Sequence, residues 1–131
     1  MRKRYVGLIL ALTLVVLFGA TACGGKVEDL VAQYLDAVKA GDYETAYSML
    51  APVLQEEMSL EDFSAQMAAL DEEAGPISSY EFHDITRGRT GNAGGIVPTT
   101  ITRVKNGTET VTEVKFVVKR IEGTFKLGNY K

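Results

Sequence analysis

The chain has 131 residues, 46% hydrophobic and 24% charged, with a net charge of −3; this fits one globular domain and excludes both a second domain and a disordered or fibrous chain. A single Cys, three Pro and no Trp exclude an internal disulfide framework, because one thiol has no partner within the chain. A single His excludes every site that needs two imidazoles.

The first 22 residues read as an export signal. Arg2, Lys3 and Arg4 form a basic head, Val6 to Phe18 is apolar or small except for Thr13, and Gly19, Ala20, Thr21 and Ala22 are small. The apolar run is short for a membrane span, which needs about 20 residues. Cleavage between Ala22 and Cys23 is the expected processing step, and residues 1–22 are set apart from the fold. Ala20-Thr21-Ala22-Cys23 resembles the lipobox of bacterial lipoproteins, although Ala20 stands where that family most often has Leu and Ala20-x-Ala22 equally suits the ordinary signal peptidase, which would secrete the body without lipid. The resemblance implies that Cys23 becomes a lipid-modified first residue, holding the chain at the outer face of the cytoplasmic membrane. Several acyl chains make such attachment durable where one is marginal. Residues 23–26 are a short tether, so the body, residues 27–131, is expected to ride close to the bilayer.

Charge divides the body in two. Three of the 14 basic residues lie in the first 22 and all 17 acids lie after them, so the remainder carries −6. Cys23 to Thr86 holds two basic and 14 acidic residues, Arg87 to Lys131 nine basic and three acidic.

The acidic half reads as helices. Val27, Leu30, Val31, Tyr34, Leu35 and Val38 recur at helical spacing, with Glu28 and Asp29 in the first turn, where the helix dipole favours anions. Gly41 supplies a stop and Asp42 an N-cap for a second helix with Tyr43, Ala46, Tyr47 and Leu50 on one face. Pro52 ends it by removing an amide donor. Ser59 with Asp62 marks a capping box, and Leu60, Phe63, Met67 and Leu70 form a third stripe. Gly75-Pro76 closes this half.

The basic half reads as strands. Tyr80 to Ile85 alternates as a first strand, with the glycine-rich stretch Gly88 to Gly95 as its turn. Ile96 to Lys105 and Thr108 to Arg120 flank Asn106-Gly107, the dipeptide suited to a two-residue turn with positive φ. Pairing Lys105 with Thr108 sets Ile101 opposite Thr112, Thr99 opposite Val114 and Val97 opposite Phe116. One face then collects apolar and threonine side chains, and Glu109, Glu113 and Lys115 fall on the other. Glu122-Gly123 offers another turn before a last strand, Thr124 to Tyr130.

Helices before about four antiparallel strands form an α+β order in which helices cover one face of a curved sheet. Tyr34-x-x-Ala37-x-x-x-Gly41-Asp42-Tyr43-x-x-Ala46-Tyr47, then Ser59-Leu60-x-x-Phe63 and a strand-rich tail, resembles the nuclear transport factor 2-like, or cystatin-like, fold found in small uncharacterised bacterial lipoproteins. The resemblance implies a cone whose sheet and helices enclose a pocket, and it selects no single function.

Few residues carry chemistry. His83 is the weak candidate for a general base; Glu81 shares its strand face and Asp84 points the other way. Tyr34, Tyr43 and Tyr47 lie on the faces expected to line the cone, with Tyr34 and Tyr47 the candidate pocket residues. Glu56-Glu57, Glu61-Asp62 and Asp71-Glu72-Glu73 lack the alternating oxygens and Gly of a calcium loop and read as a solvated acidic face. No metal site is expected, because convergent Cys, His and carboxylate ligands are missing. Gly88 to Gly95 lacks the Gly-Lys-Ser/Thr that cradles phosphate, no cofactor fingerprint is present, and basic residues spread along strands do not point to nucleic acid. The reading is a membrane-anchored, non-catalytic module that binds a small ligand or an envelope protein. Two alternatives stand beside it: a pocket enzyme of the isomerase or dehydratase kind using His83 with a tyrosine or carboxylate, and a charge-driven module that docks or forms a homodimer.

Overall fold

The computed structural model describes residues 26–88 and 94–130, the last two of these by backbone alone. The export signal, the cleavage site at Ala22, the lipidation site at Cys23 and part of the glycine-rich turn lie outside the described residues. Among the described residues, four helices precede an antiparallel sheet.

Helix α1 (Val27–Lys39) buries Val27, Val31, Tyr34, Leu35, Ala37 and Val38, nearly the stripe that its spacing predicts. Its first turn is closed by the Lys26 amide donating to Asp29 Oδ2 at 2.9 Å. It stops at Gly41, whose φ of 75° lies in the left-handed region that L side chains avoid. Asp42 then caps α2 (Tyr43–Ser48), accepting from the Thr45 amide at 3.2 Å and the Thr45 hydroxyl at 2.7 Å. These two bonds hold the Asp42 carboxyl below its ordinary pKa.

Pro52 does more than end α2. It occupies the first turn of a separate helix, α3 (Pro52–Glu57), where its missing amide hydrogen has no helical acceptor to lose. The sequence pattern alone marks the residue as a stop and places no helix after it. Ser59 caps α4 (Leu60–Ala74), its hydroxyl accepting from the Asp62 amide at 3.1 Å. Gly75 carries the chain onto the sheet with φ 86°, and a Cβ there would stand 2.1 Å from the Val104 carbonyl oxygen.

The sheet runs in the order β1 (Ile77–Phe82), β3 (Gly95–Lys105), β4 (Thr108–Ile121), β5 (Thr124–Tyr130), with the two-residue β2 (Thr86–Arg87) also on β3. The β3–β4 register is the expected one, with Lys105 opposite Thr108 and Val97 opposite Phe116; Asn106 and Gly107 take φ of 51° and 79°. The strand expected over Tyr80 to Ile85 instead begins at Ile77 and ends at Phe82. The break has a physical cause. His83 donates its amide to the Pro98 carbonyl at 2.9 Å, but Pro98 has no amide to return, so the ladder lapses until β2.

One face of the sheet is covered. Val97, Thr99, Ile101, Phe116, Val118 and Leu127 are buried there, against Val31, Leu35 and Val38 of α1 and Phe63 of α4. Each large side chain so buried contributes roughly 1.5–3 kcal/mol relative to exposure. The β5 edge is partly closed by the segment after α2: Ala51 donates its amide to the Leu127 carbonyl at 2.7 Å and Leu127 donates to that of Met49 at 2.9 Å. Pairing of this kind removes free edge groups that would otherwise recruit another strand.

Candidate functional site

Alternation along β3 puts residues 97, 99, 101 and 103 on the covered face, and the fourth of these is Arg103. An arginine only 7% exposed must find a counter-charge, because an unpaired buried guanidinium is strongly unfavourable. Its Nη1 donates to Asp71 Oδ1 at 2.5 Å and to the Gly75 carbonyl at 2.9 Å. Tyr43 completes the group by donating its hydroxyl to Asp71 Oδ2 at 2.7 Å. That bond, together with burial, raises the Tyr43 hydroxyl above the ordinary tyrosine value, so the tyrosine stays a neutral donor.

This ion pair stands at the edge of a cavity of about 100 Å³ between α1, α4 and the covered sheet face. Leu35 and Val38 of α1, Met67 and Leu70 of α4, and Ile101 and Phe116 of the sheet form its apolar wall, with Tyr34 and Arg103 as the polar-tipped members. Two nearby carboxylates differ in fate from their neighbour. Asp71, which the sequence pattern assigns to a solvated acidic run, turns inward to Arg103, whereas Glu72 and Glu73 stay exposed. The sequence holds a signal for this pair: the register that places Val97 and Ile101 inward also places Arg103 inward, and a charge in that row requires an acid within reach.

The two candidate pocket tyrosines occupy different places. Tyr34 is buried beside the cavity, its ring 5.8 Å from Phe116 and 6.5 Å from Phe63. The Tyr47 hydroxyl lies 2.7 Å from the Met58 carbonyl and 3.0 Å from that of Gln55, and the Gln55 side-chain amide donates back to the Tyr47 carbonyl at 2.9 Å. Tyr47 therefore ties α3 to α2, and its ring packs 5.7 Å from Phe63. Tyr80, on the covered face of β1, donates to Asp36 Oδ1 of α1 at 2.8 Å. Burial first, then that bond, pushes its hydroxyl up to about 12.

His83 lies on the other face. It is exposed, and its Nε2 stands 2.7 Å from the hydroxyl oxygen of Thr100, a residue that alternates with the inward Thr99 and Ile101. Pro98, Glu113 and Lys115 share this outer groove of about 420 Å³. The sheet thus separates the imidazole from the cavity and from Tyr34. Among the described residues no three His, Cys, Asp or Glu side chains gather as metal ligands, and no helix is long and apolar enough to cross a membrane.

No protein-family model and no curated protein matches the chain. Solved structures do. The chain is similar to the solution structure of a SEC-C motif-containing protein from Rhodopseudomonas palustris, with TM-score 0.66 and 13% identity over 82% of this chain and 80% of that one. It is also similar to a provisionally assigned NTF2-like transpeptidase from Campylobacter jejuni, with TM-score 0.55 and 14% identity over 80% of this chain and 99% of that one. At such identities the likeness speaks to fold alone, and the fold it supports is nuclear transport factor 2-like: helices first, then an antiparallel sheet that they cover on one side.

Proposed function

We propose that this chain is a bacterial lipoprotein, held by acyl groups on Cys23 at the outer face of the cytoplasmic membrane, whose body binds a small apolar ligand without transforming it. The cavity between α1, α4 and the sheet carries the reading. Its walls are apolar, and its one cation, Arg103, is already neutralised by Asp71, so a ligand without net charge fits better than an anion. The position of His83 behind the sheet favours binding over an isomerase or dehydratase, which would need an acid–base group beside Tyr34. The basic head, apolar run and small residues before Cys23 support the anchor.

Two measurements test the two parts. Wild-type protein is expected in the membrane fraction with the mass of fatty acyl groups, and Cys23→Ser in the soluble fraction without it; a variant that fractionates as wild type overturns the anchor. For the cavity, benzene serves as the probe, because it matches the small size and apolar lining of the site. Saturable NMR shifts at Ile101 and Phe116 are expected, and the cavity-filling Ile101→Phe should abolish them. Saturable binding that survives this substitution would place the ligand elsewhere.

A further inference from the structure

Contacts between α1 and the sheet fix the end of the body from which the tether leaves. A Cβ on Gly95 would stand 3.3 Å from Val27 Cγ2, Gly95 pairs with Val118, and Arg87 of β2 is ion-paired to Glu28. The amino terminus of α1 therefore lies at the end of the sheet that holds β2, Gly95 and the β4–β5 hairpin. Its other terminus, where Lys39 Nζ donates to the Ser78 carbonyl at 3.3 Å, lies at the Arg103 end. These two ends differ in charge. Lys26, Arg87, Lys119, Arg120 and Lys126 stand at the first, against Glu28, Asp29 and Glu122. At the second, α4 ends in Asp71, Glu72 and Glu73 and α2 begins with Asp42 and Glu44, against Lys39, Arg103 and Lys105. Lys119 and Lys126 face each other directly across β4 and β5, and they point away from the helices because Val118 and Leu127 beside them are buried. Like charges opposite each other in a sheet are destabilising. Lys126 Nζ donates to the neutral Ser48 carbonyl at 2.8 Å, and neither lysine is in an ion pair among the described residues.

We infer that this cationic end of the body is a docking surface for the anionic headgroups of a phospholipid bilayer, an inference that rests on the Cys23 anchor proposed above. Fully extended chain from Cys23 to Lys26 reaches at most about 11 Å. Lipid on Cys23 thus holds the start of α1 within little more than a Debye length, about 8 Å at physiological salt, of the headgroups. The body from Cys23 onward carries −6, and an anionic surface repels it in most orientations. Standing the strands upright on their cationic end removes that conflict. Strand β3, with 11 residues, is about 35 Å long at about 3.4 Å per residue. The acids at the end of α4 then stand about four Debye lengths from the headgroups, while basic side chains beside the surface are drawn to it. Lipid phosphates supply the counter-charge for Lys119 and Lys126. The same posture turns the Arg103 edge of the cavity away from the bilayer, so its ligand enters from the aqueous side and not from the lipid.

Lysine footprinting tests the docking without any substitution. Protein carried through its own processing is reconstituted in vesicles of phosphatidylcholine, alone or mixed with phosphatidylglycerol. It is then acetylated with an amine-reactive ester, and the rate at each lysine is read by mass spectrometry. Lys119 and Lys126 are expected to react at least about threefold more slowly on the anionic vesicles, and Lys105, at the other end, at the same rate on both. Salt of about 1 M, where the Debye length falls to about 3 Å, should restore most of the lost reactivity. Equal rates for Lys119 and Lys126 on the two kinds of vesicle overturn the docking. So does protection indifferent to salt, or a Lys105 slowed as much as the other two. Failure of the anchor reads differently: the protein then lacks acyl mass and does not float with the vesicles. In that case the same footprint, on protein joined through its Cys23 thiol to a maleimide lipid, decides the docking by the same outcomes.

Discussion

Helices α1 and α4 both carry apolar stripes at helical spacing, six residues in α1 and four in α4, and their fates differ. Six of the 13 residues of α1 are buried, whereas α4, with 15, buries only Phe63 and leaves Leu60 and Leu70 at 36% and 40% exposure. Periodicity states which face of a helix turns inward; it does not state how much lies opposite to receive it. Helix α1 lies against the sheet and also lends Tyr34, Leu35 and Val38 to the cavity wall. Helix α4 stands over the cavity edge, where Met67 and Leu70 meet open space as well as protein. The site exists because one helix packs and the other only covers.

The sharpest test of that contrast substitutes the same residue type in both helices. Leu35→Ala, at a site only 2% exposed, is expected to cost about 2–5 kcal/mol in urea unfolding, and Leu70→Ala under about 1 kcal/mol. Equal losses would show that α4 belongs to the core. Next in size is the tie that holds α4 over the sheet. Asp71→Ala strands the guanidinium of Arg103 and is expected to cost about 3 kcal/mol, the lower end of the range because solvent reaches the aspartate. Adding Arg103→Met should return most of that loss, which a double-mutant cycle measures; additive losses would mean that the two side chains do not act together.

A smaller effect is expected where the cover begins. Ser59→Ala removes the acceptor for the Asp62 amide and should cost about 1 kcal/mol, while Ser59→Asp should retain stability because a carboxylate caps as well. The smallest effect tests how α1 is fastened to β1. Because the Tyr80 hydroxyl is pushed up to about 12, its contribution is complete below the ordinary tyrosine value near 10 and is lost as pH rises towards 12. Ultraviolet titration should show one tyrosine ionising late, absent in Tyr80→Phe. If the late phase persists in that variant, it belongs to another tyrosine, Tyr43 first, whose hydroxyl is raised by Asp71.

Much of this architecture is legible in the sequence because local rules agree with the global ones. Gly41 and Asp42 separate two helices for conformational and capping reasons that operate within a few residues. Asn106-Gly107 sets a register that every later pair in β3 and β4 obeys. The rest depends on residues with two roles or on partners distant in sequence. Pro52 is both an end and a beginning, and one chain segment allows either description. Pro98 interrupts the ladder of a neighbouring strand, an effect invisible until the two are paired. Arg103 is assignable to the inner face from register alone, but choosing Asp71 over Glu72 or Glu73 requires knowing how α4 is rotated. For His83 the alternation is readable, while its distance from the cavity requires knowing which face the helices cover.

The joining of Leu50 to Leu127 reaches beyond edge protection. It laces the middle of the helical half to β5, so the α2–α3 corner settles only once β5 has been made and a long loop has been closed. A chain cut short before β5 would forfeit a corner formed far earlier in the sequence, and nascent molecules would present that corner to proteases until β5 arrived.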